Sequence, residues 1–405
     1  MSLLMQCLHA STGYAAGLSV EPGFHSSFSV QEAYSDNINL APINKKADTI
    51  TTVSPGLKYY RSDTMSSMDI AYNPGFVYYY KDADKNYIRQ QASINAWYLS
   101  EEHWNIYLKD SFIRSDEQGE QEILSTAQGR AVYWRNIAEP AVEYQYGPEN
   151  RVGILFRNNT YRTTGANSQN SQEKSINSLL DHWYDKRNGI HLEYGYSIGT
   201  FEQSPEMQAY TATIRYTNRF RQRSAIFGEY LLIQRSFEPT SLGYDIQKSS
   251  MGVTHAFSPA LSTSAQIGYF VKTPTSGSST RGLSYKATMS DLDIRTLYSL
   301  TFQGGYTEDF FTSENLGFTQ YHRFTGSLMH LLGKWTSIGL SGSVERVEFD
   351  LGRQDRGGGV TGTLSHRYLE WLTASLECSR HARSSNSASY NYTEGRGMLK
   401  LTATY

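Results

Sequence analysis

The 405-residue sequence has no long apolar run; nothing in it approaches the roughly 20 consecutive apolar residues of a membrane helix. Hydrophobic residues make up 39% of it, low for a chain with a large globular core. Cysteine is nearly absent. Cys7 and Cys378 are the two, and if Cys7 belongs to a removed leader, one thiol remains and no intrachain disulfide can form. No Cys-x-x-Cys-His motif occurs, so the chain attaches no c-type haem. A Gly-rich phosphate loop and a nucleophile elbow are both missing. So is an excess of either charge. The net formal charge is −2, and no basic block gives an argument for nucleic-acid binding.

Tyrosine is abundant, at 31 residues beside 17 Phe and 6 Trp. Such an excess suits interfacial girdles, where an amphipathic ring sits between lipid and water. A zigzag of apolar and polar residues recurs about twenty times. Leu399, Leu401, Ala403 and Tyr405 point one way, and Met398, Lys400, Thr402 and Thr404 the other. Ile190, Leu192, Tyr194, Tyr196 and Ile198 likewise oppose His191, Glu193, Gly195 and Ser197. Lipid outside and water inside a closed barrel require this pattern in every strand.

The connections alternate in length. Longer polar links such as Ser115–Gln128 and Glu308–Phe318 follow odd-numbered runs, and tight ones such as Glu101–His103 and Leu332–Lys334 follow even-numbered runs. The predicted fold is all-β: a single transmembrane antiparallel up-and-down β-barrel of about 20 strands, with 18 as the alternative count. It has short periplasmic turns, longer extracellular loops and no plug domain. Residues 1–15 read as a truncated signal peptide and 16–405 as the outer-membrane barrel. Two stacked sheets of a soluble all-β protein are the competing reading of the same alternation.

Some residues resist the pattern. Asp110 falls on the apolar face of Trp104, Ile106, Leu108 and Phe112, and calls for a bulge or a place near the rim. Pro74 and Pro140 lie inside strand runs, although a barrel has no free edge for them. Arg346 and Glu348 break an alternation that starts at Ile338, as a strand would on leaving the lipid. The pairs Pro22-Gly23, Pro55-Gly56 and Pro74-Gly75 read as bends or bulges.

Tyr34-Ser35-Asp36-Asn37-Ile38-Asn39-Leu40 precedes Ala47-Asp48-Thr49-Ile50-Thr51-Thr52-Val53-Ser54-Pro55-Gly56-Leu57. This opening resembles the β-barrel porin families of Gram-negative bacteria. It is most similar to the outer-membrane barrels associated with exopolysaccharide and PEP-CTERM gene systems. The likeness covers about the first eighty residues and brings no catalytic motif. It implies an outer-membrane location and a role in exporting polysaccharide handed up by periplasmic export proteins. Asp36-Asn37 itself reads as a turn-closing Asx pair rather than a ligand site.

Gly397, Leu399, Leu401 and Tyr405 match the terminal pattern by which the barrel-assembly machinery recognises its clients. An ordinary amphipathic closing strand looks the same. The inner wall is expected to carry Lys109, Arg157, Glu193, Arg215, Lys272, Arg367, Glu377 and Lys400. Charged rings set ion preference only where they converge, and simple solvation of a wet wall is the plainer reading. Tyr107 and Phe270 are inward aromatics that suit either sugar stacking or packing. Tyr59-Tyr60 and Tyr78-Tyr79-Tyr80 read as girdle, and Cys378 as lipid-facing. His191-x-Glu193 lacks a third ligand, and Asp82-Ala83-Asp84 lacks the oxygen series of a calcium loop. No catalytic residue, metal site or cofactor is expected.

Three functions fit: a passive channel for a hydrophilic solute or polymer, a scaffold around a partner such as a multihaem cytochrome or secretion component, and an outer-membrane hydrolase. The first is preferred, because twenty strands exceed the 16–18 that already leave an aqueous channel.

Overall fold

A computed structural model describes residues 21–117, 130–164, 169–240, 242–311, 315–350 and 352–405. The leader expected at residues 1–15 lies outside these. Twenty antiparallel strands form one sheet. They are β1 (Gly23–Ser35), β2 (Asp48–Ser62), β3 (Ser66–Tyr79), β4 (Tyr87–Leu99), β5 (Trp104–Ser115), β6 (Tyr133–Gln145), β7 (Arg151–Thr163), β8 (Ser171–Trp183), β9 (Asn188–Phe201) and β10 (Glu206–Arg221). The second half comprises β11 (Ser224–Glu238), β12 (Leu242–Ala256), β13 (Leu261–Pro274), β14 (Thr280–Leu292), β15 (Thr296–Asp309), β16 (Gly317–Leu331), β17 (Thr336–Phe349), β18 (Gln354–Leu369), β19 (Leu372–Ser385) and β20 (Tyr392–Thr404). Each pairs with its sequence neighbours, and β20 pairs with β1 from Ser27↔Thr404 to Ser35↔Arg396, closing the ring. Strands about 4.8 Å apart and tilted by about 40° make a twenty-strand ring about 40 Å across.

The two-residue period forms these strands, because each must present unlike faces to unlike surroundings. Residues directly opposite share a face, so one register runs along the wall. Phe24 opposes Tyr59, Tyr59 opposes Ile70, and Ile70 opposes Ile94. These residues face outward with Phe28, Leu57, Ile267, Leu340 and Leu399, all exposed. The other face is the concave one, since residues four strands apart can touch only there: Arg235 of β11 meets Glu308 of β15 at 2.5 Å. On β9 the outward apolar stripe runs from Ile190 to Ile198. Eight steps of about 3.3 Å at such a tilt give a band about 20 Å tall.

The prolines fit through local gaps in one ladder. Pro55 and Pro74 lie opposite each other between Val53↔Phe76 and Leu57↔Tyr72, where pairing lapses. Pro140 sits in a similar gap between Ala138↔Asn158 and Ala141↔Leu155. Register is constant across both, so of the bends or bulges expected at Pro55-Gly56 and Pro74-Gly75, a bulge is ruled out. Asp110 also departs from expectation. It faces outward within β5 without a bulge, and its carboxylate accepts from Asn136 Nδ2 at 3.0 Å. Asn158 and Gln172 continue this polar outer patch at 3.0 Å.

The length alternation is weaker than expected. The connection of 116–132 is long, but 202–205, 239–241 and 350–353 are as short as the turns on the opposite rim. The aromatics of the short-turn rim form an outward girdle. Trp104 lies 4.9 Å from Tyr144, Phe24 4.9 Å from Tyr59, and Trp371 5.8 Å from Tyr405, between ring centroids. Leu399, Leu401 and Tyr405 lie on this outer face, and Gly397 shares it through Tyr34↔Gly397. Cys378 is exposed there too.

Candidate functional site

The inner wall is laced with cross-strand ion pairs. Lys58 meets Asp69 at 2.7 Å, and Arg323 meets Glu345 at 2.6 Å. Arg151 joins Glu143 at 3.0 Å to Asp181 at 2.7 Å, and Asp181 reaches His191 at 2.7 Å. Pairs of this kind neutralise a wet wall more than they stabilise it, each contributing about 0.2–1 kcal/mol.

The eight charges expected on this wall are spread around it. Lys109 and Arg157 are brought together on Glu139, at 3.7 and 3.4 Å. Glu193 lies 3.7 Å from His191. Arg215 bonds Glu229, and Lys272 reaches Asp350 at 2.5 Å. Arg367 lies over the Trp335 ring, Glu377 opposes Met398, and Lys400 opposes Gln31. They form no single ring. Among the described residues no cluster of three or more His, Cys, Asp or Glu is arranged to hold a metal.

The residues that converge are others, at the mouth opposite the short turns. There, the described parts of three connections pack inside the wall. The first connection inserts Ile38 against Ile50, Val77 and Tyr79, with Tyr87 packed on the cluster. Asn37 is fully buried and holds this bend: its Nδ2 donates to the Ala41 and Thr393 carbonyls, and its Oδ1 accepts from the Ala41 N–H. Asp36 meanwhile accepts from the Gly395 N–H at 2.8 Å. Asn37 thus does the turn-closing work expected of an Asx residue, whereas Asp36 ties the connection to β20.

The ends of the 116–132 connection are tied to the same wall. Tyr79 and Tyr87 hydroxyls donate to the Asp116 carboxylate. Arg130 donates to Glu394 at 2.6 Å, with side chains 7% and 6% exposed, and Ser35 donates to the same oxygen at 2.6 Å. Arg396 meets Glu117 at 2.7 Å, with Arg89 at 3.9 Å on its other oxygen. Burial opposes the Glu117 charge, but Arg396, then Arg89 and Arg130, outweigh it and hold its carboxyl below the ordinary range. Burial also opposes the Arg130 charge, and Glu394, Asp116, Tyr79 and Glu117 more than restore it. Tyr79 is therefore part of this latch and not of the girdle where the sequence placed it, although its neighbours Tyr78 and Tyr80 are exposed outside. Tyr60 shares the inner face with Gly23, while Tyr59 points out.

The third intrusion comes from the opposite side; β3 and β13 are ten strands apart in a ring of twenty. Phe270, Ile246, Ile233 and Phe318 form an apolar cluster inside the wall, with Leu231, Tyr244 and Tyr306 against it. Gly305, at φ 142°, permits the strand to turn its next side chain inward, so Gly304 faces out while Tyr306 stacks on Phe318. Phe311 then reaches Phe201 of β9 at 5.4 Å, and Asn315 bonds Ser204 at 3.3 Å. Phe270 is 0% exposed, so it offers no stacking face to a sugar. Tyr107 stays half-exposed on the inner face. Phe270→Ala is expected to lower the barrel's unfolding free energy by about 3–5 kcal/mol, as opening a cavity in a packed cluster does. Heat-modifiability on gels checks this, and an unchanged transition contradicts it.

No family model and no curated protein matches this sequence. The barrel is similar in structure to the siderophore receptor PirA from Pseudomonas aeruginosa, with TM-score 0.54 and 8% identity over 96% of this chain and 81% of that one. A point mutant of the ferric enterobactin receptor PfeA from the same organism gives TM-score 0.56 and 7% identity, over 96% and 81%. The FrpB iron transporter from Neisseria meningitidis gives 0.56 and 8%, over 95% and 83%. At such identity the shared property is the fold, a closed antiparallel barrel.

Proposed function

We propose that the chain is an outer-membrane channel of a Gram-negative bacterium, a conduit for a hydrophilic solute or polymer with a narrowed outer mouth. One observation supports this above the rest. The ring is closed, its cross-strand ion pairs lie on the concave face, and its unpaired apolar side chains lie outside. A closed ring satisfies every backbone group within hydrocarbon, and the charged wall keeps water inside. In this reading the short turns are periplasmic, lipid covers the outer belt, and the chain does no catalysis. The finer cargo, exopolysaccharide supplied by periplasmic export proteins, rests on the resemblance of the opening eighty residues. Recognition by the barrel-assembly machinery is proposed for the outward face of β20.

Purified folded barrel added to a planar bilayer is expected to give discrete conductance steps, and soluble polysaccharide fragments to block them transiently. Inserted barrel that never conducts contradicts the proposal; steps without blockade contradict the polymer cargo alone. Acid provides a further check. A carboxyl with a lowered folded pKa stabilises above its unfolded value, about 4.3, and loses that contribution as pH falls through the lowered one. The Glu117 contact is therefore expected to hold from neutrality to about pH 5, and conductance to rise only below about pH 4. A rise centred near neutrality would mean that groups other than Glu117 control the conductance.

A further inference from the structure

Four histidines share one unusual position. His182, His255, His330 and His366 each point outward within three residues of the end of an even-numbered strand, before a short turn. Two residues on stand Tyr184, Phe257, Leu332 and Tyr368, giving a repeated His-x-apolar unit. The imidazole meets the following aromatic edge-on, at 4.8 Å for Tyr184, 4.4 Å for Phe257 and 4.6 Å for Tyr368. Its Nδ1 is held by a hydroxyl of the neighbouring strand or turn. Ser224, Thr296 and Thr336 do so at 2.8 Å; Tyr146 Oη lies 3.2 Å from His182 Nδ1 and equally near the Asp181 carbonyl, to which it donates. Among the described residues Nε2 has no partner in any of the four.

We infer that these units form a collar that binds the phosphates of inner-leaflet phospholipids, more tightly as the imidazoles protonate. The inference rests on the membrane reading above, which places the short-turn girdle at the headgroup level. With a hydroxyl donating to Nδ1, the neutral ring carries its proton on Nε2 and donates it to a phosphate oxygen. Protonation lets the hydroxyl accept instead, and turns the Nε2 contact into a charge-assisted bond. The turns beside the collar carry charges of both signs: Glu370 follows Leu369, Asp293 stands near Arg295, and Glu149 is paired with Arg219 at 2.7 Å. Arg223 donates to the Phe257 carbonyl, Arg295 accepts through its carbonyl from Leu331, and Arg367 lies over Trp335. Asp185, next to Tyr184, has its oxygens occupied by Arg187 and Asn188. Near His182, a groove of about 430 Å³ is lined by Leu180, Ser178, Leu192, Ala212 and Ile214. Small side chains at Ser178 and Ala212 leave room there for an acyl chain.

The test uses full-length protein in phosphatidylcholine vesicles containing spin-labelled phosphatidylglycerol or spin-labelled phosphatidylcholine. The immobilised fraction of each label is read at pH 8 and pH 5.5. Wild type is expected to favour phosphatidylglycerol severalfold more at pH 5.5 than at pH 8. The quadruple variant His182→Gln, His255→Gln, His330→Gln, His366→Gln is expected to show no such rise. The corresponding quadruple lysine variant is expected to favour phosphatidylglycerol at both pH values. Inserted wild type with pH-independent preference, or a glutamine variant that keeps the rise, overturns the collar and leaves the membrane reading standing. Folded protein that immobilises neither label overturns both. If the glutamine variant does not fold, the four single variants are read instead, each expected to lose part of the rise; single variants that all keep it in full overturn the collar.

Discussion

Ile267→Arg is expected to abolish accumulation of folded barrel in the membrane, whereas Gln266→Arg, one residue away, leaves it intact. Ile267 stands outward on β13 and is 56% exposed. An arginine at mid-belt costs about 2–4 kcal/mol in a transmembrane barrel. That is a large share of the 5–15 kcal/mol that typically separates folded from unfolded chains. Gln266 faces inward, where it bonds Ser250 at 2.8 Å and Glu229 at 3.3 Å. An arginine there meets a carboxylate and water. Heat-modifiable migration of membrane fractions reads both variants. Equal loss from both, or from Gln266→Arg alone, would mean that the faces are assigned wrongly.

The second large effect lies at the mouth. Arg130→Ala leaves Glu394 buried with Ser35 as its remaining hydrogen-bond donor among the described residues. Removing one member of a buried pair costs about 3–5 kcal/mol. The latch equilibrium should therefore shift on the order of a hundredfold or more toward release. The expected result is a higher unitary conductance at neutral pH and faster protease cleavage between residues 116 and 132. Adding Glu394→Ala removes the stranded carboxylate, so the double variant is expected to be less destabilised than the sum of the single ones. Unchanged conductance in Arg130→Ala would show that this connection does not narrow the path.

How much of this was legible in the sequence depends on range. The alternation Ile190 to Ile198 is local, and a period of two is sufficient to place each side chain on a face. The ring of twenty strands followed from repeating that reading. The mouth was not legible, because its contacts join residues remote in sequence: Arg130 and Glu394 are 264 residues apart. A connection rich in Glu and Gln gives no sign of which strand its ends will reach. Phe270 was placed on the inner face with stacking and packing both open, because alternation says which face a residue occupies, not what else covers that face. The cover comes from Tyr306 and Phe318, turned inward at Gly305. Asp110 was read as needing a bulge or a place near the rim, but Asn136 on the neighbouring strand satisfies it. Tyr79 joined the girdle on paper because three tyrosines in a row hide the fact that the middle one points the other way.

Labelling of single cysteines along β9 would test the central claim most directly. The variants are made at 190 through 198 in a Cys7→Ser, Cys378→Ser background, reconstituted in sealed vesicles and exposed to a membrane-impermeant maleimide. The account predicts reaction at 191, 193, 195 and 197 and protection at 190, 192, 194, 196 and 198, as a wall with lipid on one side and water on the other requires. Uniform reaction, or reaction at the even positions alone, would contradict it.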